Sequence, residues 1–237
     1  MIRLDKYLAD MGIGTRTEVK KYIKQGKVKV DGVAVKSPEM KIDEKMQEIL
    51  FLDQPVKYEA YEYYMLHKPA GVISATEDRT DKTVIDLIVD KKRKDLFPVG
   101  RLDKDTEGLL LITNDGELAH QLLAPKKHVD KVYYAKVKGI VTEEDVRIFQ
   151  NGVSIGQGET AKPALLKILV SDEISEIELT IQEGKFHQVK RMFISVGKEV
   201  IYLKRLSMGT LVLDEKLPKG AYRPLTEKEL KELKKLC

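Results

Sequence analysis

Apolar residues recur along this 237-residue chain with two periods, one helical and one alternating. Leu4, Leu8 and Met11 return at helical spacing. Thr15-x-x-Glu18 is a capping box that predicts a second helix to about Gln25. Lys27 to Lys36 then alternates: Val28 and Val30, Asp31-Gly32, Val33 and Val35. That pattern predicts a hairpin closed by a type I′ turn. Ile49-Leu50-Phe51-Leu52 predicts a closing strand, and Asp53-Gln54-Pro55 interrupts it, which places a domain junction near 54–61. Farther on, 63–66, 109–112, 131–137, 176–181 and 200–206 read as strands. Helices are expected at 83–89, with Val84, Leu87 and Ile88 inward, at 117–123, and from Thr142 to before Asn151-Gly152. A helical reading of 185–193 sets Phe186, Val189 and Phe193 on one side and His187, Lys190 and Arg191 together. Thr226-x-x-Glu229 caps a terminal helix.

Composition narrows the class. About a third of the residues are charged and no apolar run approaches the roughly 20 residues of a membrane helix. The first residues lack the apolar core of a signal peptide. The one cysteine, Cys237, is the last residue, which leaves no internal disulfide and no cysteine-based metal site. A soluble protein of a reducing cytoplasm is expected. The net charge of +4 is small, but residues 1–36 hold nine Lys/Arg against four Asp/Glu. Arg16, Lys20 and Lys24 recur every four positions and so share a helix face. Such a stripe is either a solvated face or a surface for the nucleic-acid backbone.

The candidate chemistry centres on Gly100-Arg101-Leu102-Asp103-Lys104-Asp105-Thr106-Glu107-Gly108, which runs into the apolar 109–112. It sets one arginine and two aspartates on a loop clamped to a strand, where reactive groups are commonly placed. By itself it is equally a charged connector.

Gly100-Arg101-Leu102-Asp103-x-x-Thr106-x-Gly108-Leu109-Leu110 resembles the signature loop of the RsuA-type pseudouridine synthases, in which the aspartate of Arg-Leu-Asp is catalytic. The resemblance puts that role on Asp103. Lys68-Pro69-x-Gly71 is similar to the family motif that supports the loop, with an RNA contact also open to it. Lys131-x-Tyr133 is similar to the motif whose tyrosine lies on the target uracil, so one of Tyr133 and Tyr134 should be core and the other active site. Gly184-Lys185-Phe186-His187-Gln188-Val189-Lys190-Arg191-Met192 implies a cation at Lys190 against the catalytic carboxylate. Leu203 is the choice for the leucine packed near the site, and Arg101 for filling the gap left by a flipped base or binding phosphate. Asp105 reads as an exposed loop carboxylate. His187 has no partner at metal-ligand spacing, and no metal site is expected.

Arg3-Leu4-Asp5-Lys6-Tyr7-Leu8, Thr15-Arg16 and Gly26-x-Val28-x-Val30-Asp31-Gly32 are similar to the S4 RNA-binding module. RNA contacts are therefore expected at Arg3, Lys6, Arg16, Lys20, Lys24 and Lys27, with His187 and Arg191 in the larger domain. The resemblance implies an α+β chain: an S4-like module at 1–58 and a catalytic domain at 62–237 with a mixed, mainly antiparallel sheet. It implies a monomer that isomerises a uridine of ribosomal RNA without any cofactor. Lys162-Pro163-Ala164 and the compact length resemble the small-subunit branch, whose target is uridine 516 of 16S rRNA. Ala135 stands where a larger apolar residue is common. The same reaction on 23S rRNA is the alternative. A non-catalytic ribosome-assembly factor, and a metal-dependent nuclease built on Asp103, Asp105 and Asp115, are readings of other classes.

Overall fold

The structure is a computed structural model and describes residues 1–236. Cys237 lies outside the described residues. The chain divides into two compact units, 1–62 with 90–96 and 63–89 with 97 to the end.

In the first unit, helices Leu4–Asp10 and Arg16–Lys24 pack on a four-stranded sheet. Thr15 caps the second helix through both arms of its box, as its sequence predicts. The hairpin pairs Val28–Val30 with Val33–Ala34. Asp31 and Gly32 both take positive φ (49° and 80°), as a type I′ turn requires. Leu4, Leu8, Val19, Ile23, Val28, Val30, Ile42 and Ile49 form the core. Residues 90–96, read from the sequence as part of the second domain, pack here instead. The Glu62 carboxylate accepts from the backbone N–H groups of Lys92 and Arg93, and Arg93 pairs with Asp10 and Asp95.

The second unit is built on one nine-stranded sheet. Along its main path the strands run Leu165–Val170, Ile174–Ile181, Lys131–Lys138, Glu199–Met208, Glu107–Thr113, Tyr63–Lys68 and Tyr222–Pro224. All these neighbours are antiparallel except Glu107–Thr113 beside Glu199–Met208. That parallel junction spans two register pairs, Lys204 with Glu107 and Arg205 with Gly108. Glu107–Thr113 is buried at every position, which is why it reads as a continuous apolar run rather than an alternation. Leu109, Leu111, Leu118, Leu122, Met208 and Leu233 form the core beneath helices Gly116–Leu123 and Glu227–Lys234.

The expected helix at 83–89 is absent. Asp86 accepts from the Thr83 backbone and hydroxyl, which closes one turn as a cap would. The Ile88 N–H donates to the Ile85 carbonyl, and no helix forms over 83–89. Val84 and Ile88 are nevertheless fully buried, so the apolar spacing reported burial and not helix.

Candidate active site

Asp103 stands on a loop held from below by the segment after Tyr63–Lys68. The Lys68 ammonium is fully buried and donates to the carbonyls of Pro69 (3.0 Å), Lys104 (3.3 Å) and Thr106 (2.8 Å). Burial pushes its pKa down to about 8, against the pull of Asp105, Asp103 and Glu107. The Gly71 N–H donates to the Lys104 carbonyl. Ser74 Oγ both donates to the Leu102 carbonyl (2.8 Å) and accepts from its N–H (3.0 Å). The Thr106 N–H closes the turn onto the Asp103 carbonyl. The lysine of the Lys-Pro motif is therefore a brace, and its full burial removes the RNA contact left open for it.

The loop alternates outward and inward. Arg101 is exposed and forms no ion pair among the described residues, Leu102 is buried, and Asp103 is partly exposed at the edge of a cleft of about 950 Å³. Tyr133, Lys131 and Arg205 lie on the cleft floor, and His187 and Phe186 on its rim. A narrower recess of about 60 Å³ brings Asp103 together with Tyr133, Leu203 and Lys190. Tyr133 is 7 % exposed and faces this space, whereas Tyr134 packs edge-on against Tyr202 on the other side of the sheet. The pair divides by face, but neither half follows the expected split into core and site: Tyr134 is only half-buried, and Tyr133, on the cleft side, is the more buried of the two.

Asp103 Oδ2 lies 3.5 Å from Lys190 Nζ, and Oδ1 lies 3.6 Å from His187 Nε2. Its carboxylate accepts no hydrogen bond among the described residues. Lys190 bonds instead to Asp105, at 2.7 and 2.8 Å. Burial raises the Asp105 carboxyl, but the Lys190 hydrogen bond and charge outweigh that and hold it below the usual value. Asp105 is exposed, as its position implied, yet it competes with Asp103 for the cation, which the sequence did not signal.

Phe186 departs from its expected place. The helix begins only at Gln188, because His187 takes a left-handed conformation (φ 48°) at the cap. Phe186 is left off the helix, 67 % exposed and stacked on the His187 ring at 3.8 Å, while Val189 and Phe193 are buried. Arg191 also turns away from His187 and Lys190. Its guanidinium donates to the carbonyls of Ile155, Gly156 and Phe186 and to Glu159, so it ties a neighbouring loop down and is withdrawn from the RNA-contact set.

In the first unit Arg3, Arg16 and Lys20 converge on the buried Asp5. Lys6 and Lys24 are exposed, and Lys27 lies over the Tyr22 ring. Ser74 and Arg205 also line the larger cleft, beyond the candidates that the sequence offers. Ser74 carries no signal in the sequence. Arg205 does, since it falls two residues after Leu203 on one strand and so shares its face.

Asp115 is not part of the cleft. It caps helix Gly116–Leu123 through the Leu118 N–H and accepts from the Tyr63 hydroxyl. Among the described residues no group of three or more His, Cys, Asp or Glu is placed to hold a metal ion. The three-carboxylate nuclease reading fails on that geometry.

Comparison with known proteins agrees with the architecture. Residues 62–195 match the family described as RNA pseudouridylate synthase, and residues 2–49 match the S4 domain. The chain is 50 % identical over 231 residues to an uncharacterized RNA pseudouridine synthase of Bacillus subtilis, covering 97 % of each chain. It is 43 % identical over 240 residues to the ribosomal large subunit pseudouridine synthase B of the same organism, covering 100 % of this chain and 97 % of that one. It is 39 % identical over 236 residues to the ribosomal small subunit pseudouridine synthase A of Haemophilus influenzae, covering 99 % and 100 %. A crystal structure of a pseudouridylate synthase superposes with a TM-score of 0.68 at 38 % identity, covering 98 % of this chain and 100 % of that one. With an S4 domain ahead of a braced aspartate loop and an open cleft, this chain belongs to the RNA pseudouridylate synthase family.

Proposed function

We propose that this protein acts in the cytoplasm, as a monomer, to convert one uridine of ribosomal RNA to pseudouridine, with Asp103 as the reacting carboxylate. The observation that carries the reading is Asp103 itself: a carboxylate on a braced loop, open to the cleft, with Tyr133 and Leu203 beside it. The reaction breaks the bond from uracil N1 to C1′, turns the detached base, and joins C5 to C1′. The proton at C5 is then lost and N1 gains one, so atoms balance with no co-reactant. Asp103 can add to C1′, add to C6, or stabilise the sugar as uracil departs; each course needs its oxygen near C1′ and C6. Lys190 and His187 face one carboxylate oxygen each and set the orientation, which matters because a displacement of about 1 Å can cost on the order of 100-fold. The Tyr133 ring supplies a stacking surface for uracil, worth about 1–3 kcal/mol.

A base inside folded RNA must leave its stack to reach Asp103. Arg101, exposed at the rim, fills the opening or holds a phosphate. Lys6, Lys24 and Lys27 of the S4 domain meet the RNA backbone, which positions the enzyme without reading sequence. Arg3, Arg16 and Lys20 add to that surface only with the charge left over from Asp5.

The target we favour is uridine 516 of 16S rRNA, on the small-subunit resemblance of Lys162-Pro163-Ala164 and the compact length. The large-subunit reading has its own support in the 43 % identical relative. A pseudouridine map of both rRNAs, treated with the protein and with Asp103→Asn, decides between them. A new site in 16S rRNA that is lost in the variant supports the whole proposal. A site only in 23S rRNA moves the target, and turnover retained by Asp103→Asn removes the residue from its role. No new site, on naked RNA or on assembly intermediates, leaves an RNA-binding assembly factor.

A further inference from the structure

Two cations on the cleft floor have no task in the isomerisation. Lys131 is 7 % exposed and Arg205 2 %, and both line the larger cleft but not the narrow recess at Asp103. Tyr133 stands opposite Arg205 across the antiparallel pair, so the two side chains share a face. Lys131, two residues before Tyr133, joins that face.

Neither cation has the partners that burial demands. Arg205 Nε donates to the Leu109 carbonyl at 2.7 Å, but its Nη2 is buried with no acceptor among the described residues. Lys131 Nζ donates to one carbonyl, that of Val129, at 3.0 Å. Burial pushes the Lys131 pKa down, repulsion from Arg205 adds to this, and Asp130 pulls only partly back. Asp130 accepts from Gln182 and forms no ion pair with Lys131 among the described residues. Two neighbouring buried charges of one sign destabilise a fold unless something supplies the opposite charge.

We propose that Lys131 and Arg205 form an anion subsite that takes a phosphodiester of the RNA strand beside the target nucleotide. Lys131, the less buried of the two, makes the contact, and Arg205 adds positive charge on the same face. The cleft has room for this. Its volume of about 950 Å³, walled by Ile73, Pro98 and Leu123, far exceeds the recess of about 60 Å³ that adjoins Asp103. A compact ammonium on a flexible stem is suited to a single phosphate oxygen. The subsite rests on the reading of this protein as an RNA-modifying enzyme.

The test is Lys131→Met in the full chain, measured for melting temperature and for rRNA binding across a salt series. A subsite predicts that the free variant melts higher than wild type, because a buried charge has gone. It also predicts that rRNA binds about tenfold more weakly. The slope of log affinity against log salt should shrink by about 0.7–0.9, the share of one phosphate. Lys131→Arg, which keeps the charge, should hold the wild-type slope. A Lys131→Met protein that melts lower or does not fold overturns the proposal, since the ammonium would then be a brace of the fold. An unchanged slope overturns it equally. Wild-type pseudouridine formation on the same rRNA separates the two ideas: its absence defeats the enzyme reading, while its presence beside an unchanged slope defeats the subsite alone.

Discussion

Asp5 of the first unit and Asp103 of the second are both aspartates facing cations, and they are held in opposite ways. Asp5 is fully buried, and both its oxygens are taken: Arg3 donates at 3.1 and 2.9 Å and Arg16 at 2.9 Å. Burial raises its carboxyl, and the Arg3 and Arg16 hydrogen bonds overcome that and hold it below the usual 3.8. Asp103 is 26 % exposed on its side chain, with its cations at 3.5 and 3.6 Å, beyond hydrogen-bond range. Its backbone, by contrast, is fastened by Lys68, Gly71 and Ser74. Asp5, with its oxygens saturated, is built to hold a fold together, whereas Asp103 is fixed through its backbone with its oxygens left open, as the proposed reaction requires.

That contrast can be broken most severely by Asp103→Asn. Turnover should fall by about 1,000-fold or more, which is ~4 kcal/mol of transition-state stabilisation. Thermal stability should move by no more than about 0.5 kcal/mol. A large loss of stability would show that Asp103 is a structural acid after all. Lys68→Met sharpens the comparison by releasing the backbone while leaving the carboxylate. The Lys104 and Thr106 carbonyls lose their donor, and kcat should fall about 100-fold with KM little changed. A normal kcat would mean that Gly71 and Ser74 suffice.

Asp5→Asn should do the reverse of Asp103→Asn. It should lower the stability of the first unit by about 1–3 kcal/mol, since charge-assisted bonds are lost, and leave kcat at saturating rRNA unchanged. Thermal melts followed with a turnover assay check both halves. The smallest effect is in acid. Folded Asp5 binds its proton less readily than unfolded Asp5, so its contribution is complete above pH 3.8 and declines as pH falls through the lower folded value. The first unit of Asp5→Asn should therefore lose less stability than wild type between pH 5 and pH 2; parallel losses would contradict the assignment.

Much of this was legible along the chain. Thr15-x-x-Glu18 and Asp31-Gly32 carry their geometry locally, and both form as their sequence predicts. The Arg-Leu-Asp loop was legible by resemblance, and the alternation around Tyr133 separates it from Tyr134. What stayed hidden depends on long-range pairing. The Lys68 ammonium finds carbonyls 36 and 38 residues away, and Ser74 meets Leu102 across 28. Phe186 falls outside the helical face because a left-handed His187 ends the periodicity one residue before the helix starts. At 83–89 a cap and apolar spacing suit one buried turn as well as a helix.

Gly108 has a consequence for how this sequence can vary. It has φ 105°, and a Cβ there would lie 2.2 Å from the Arg205 carbonyl oxygen, where neither backbone can yield. Gly71 also has positive φ (84°), but its missing Cβ would meet nothing within 4 Å. In a pooled library of all single substitutions under selection for rRNA modification, codon 108 should return glycine alone. Codon 71 should also admit asparagine, which tolerates left-handed backbone. The information content of the two positions would then differ although both read simply as glycine, and it would locate, from sequence counts alone, where two chain segments run too close for a methyl group.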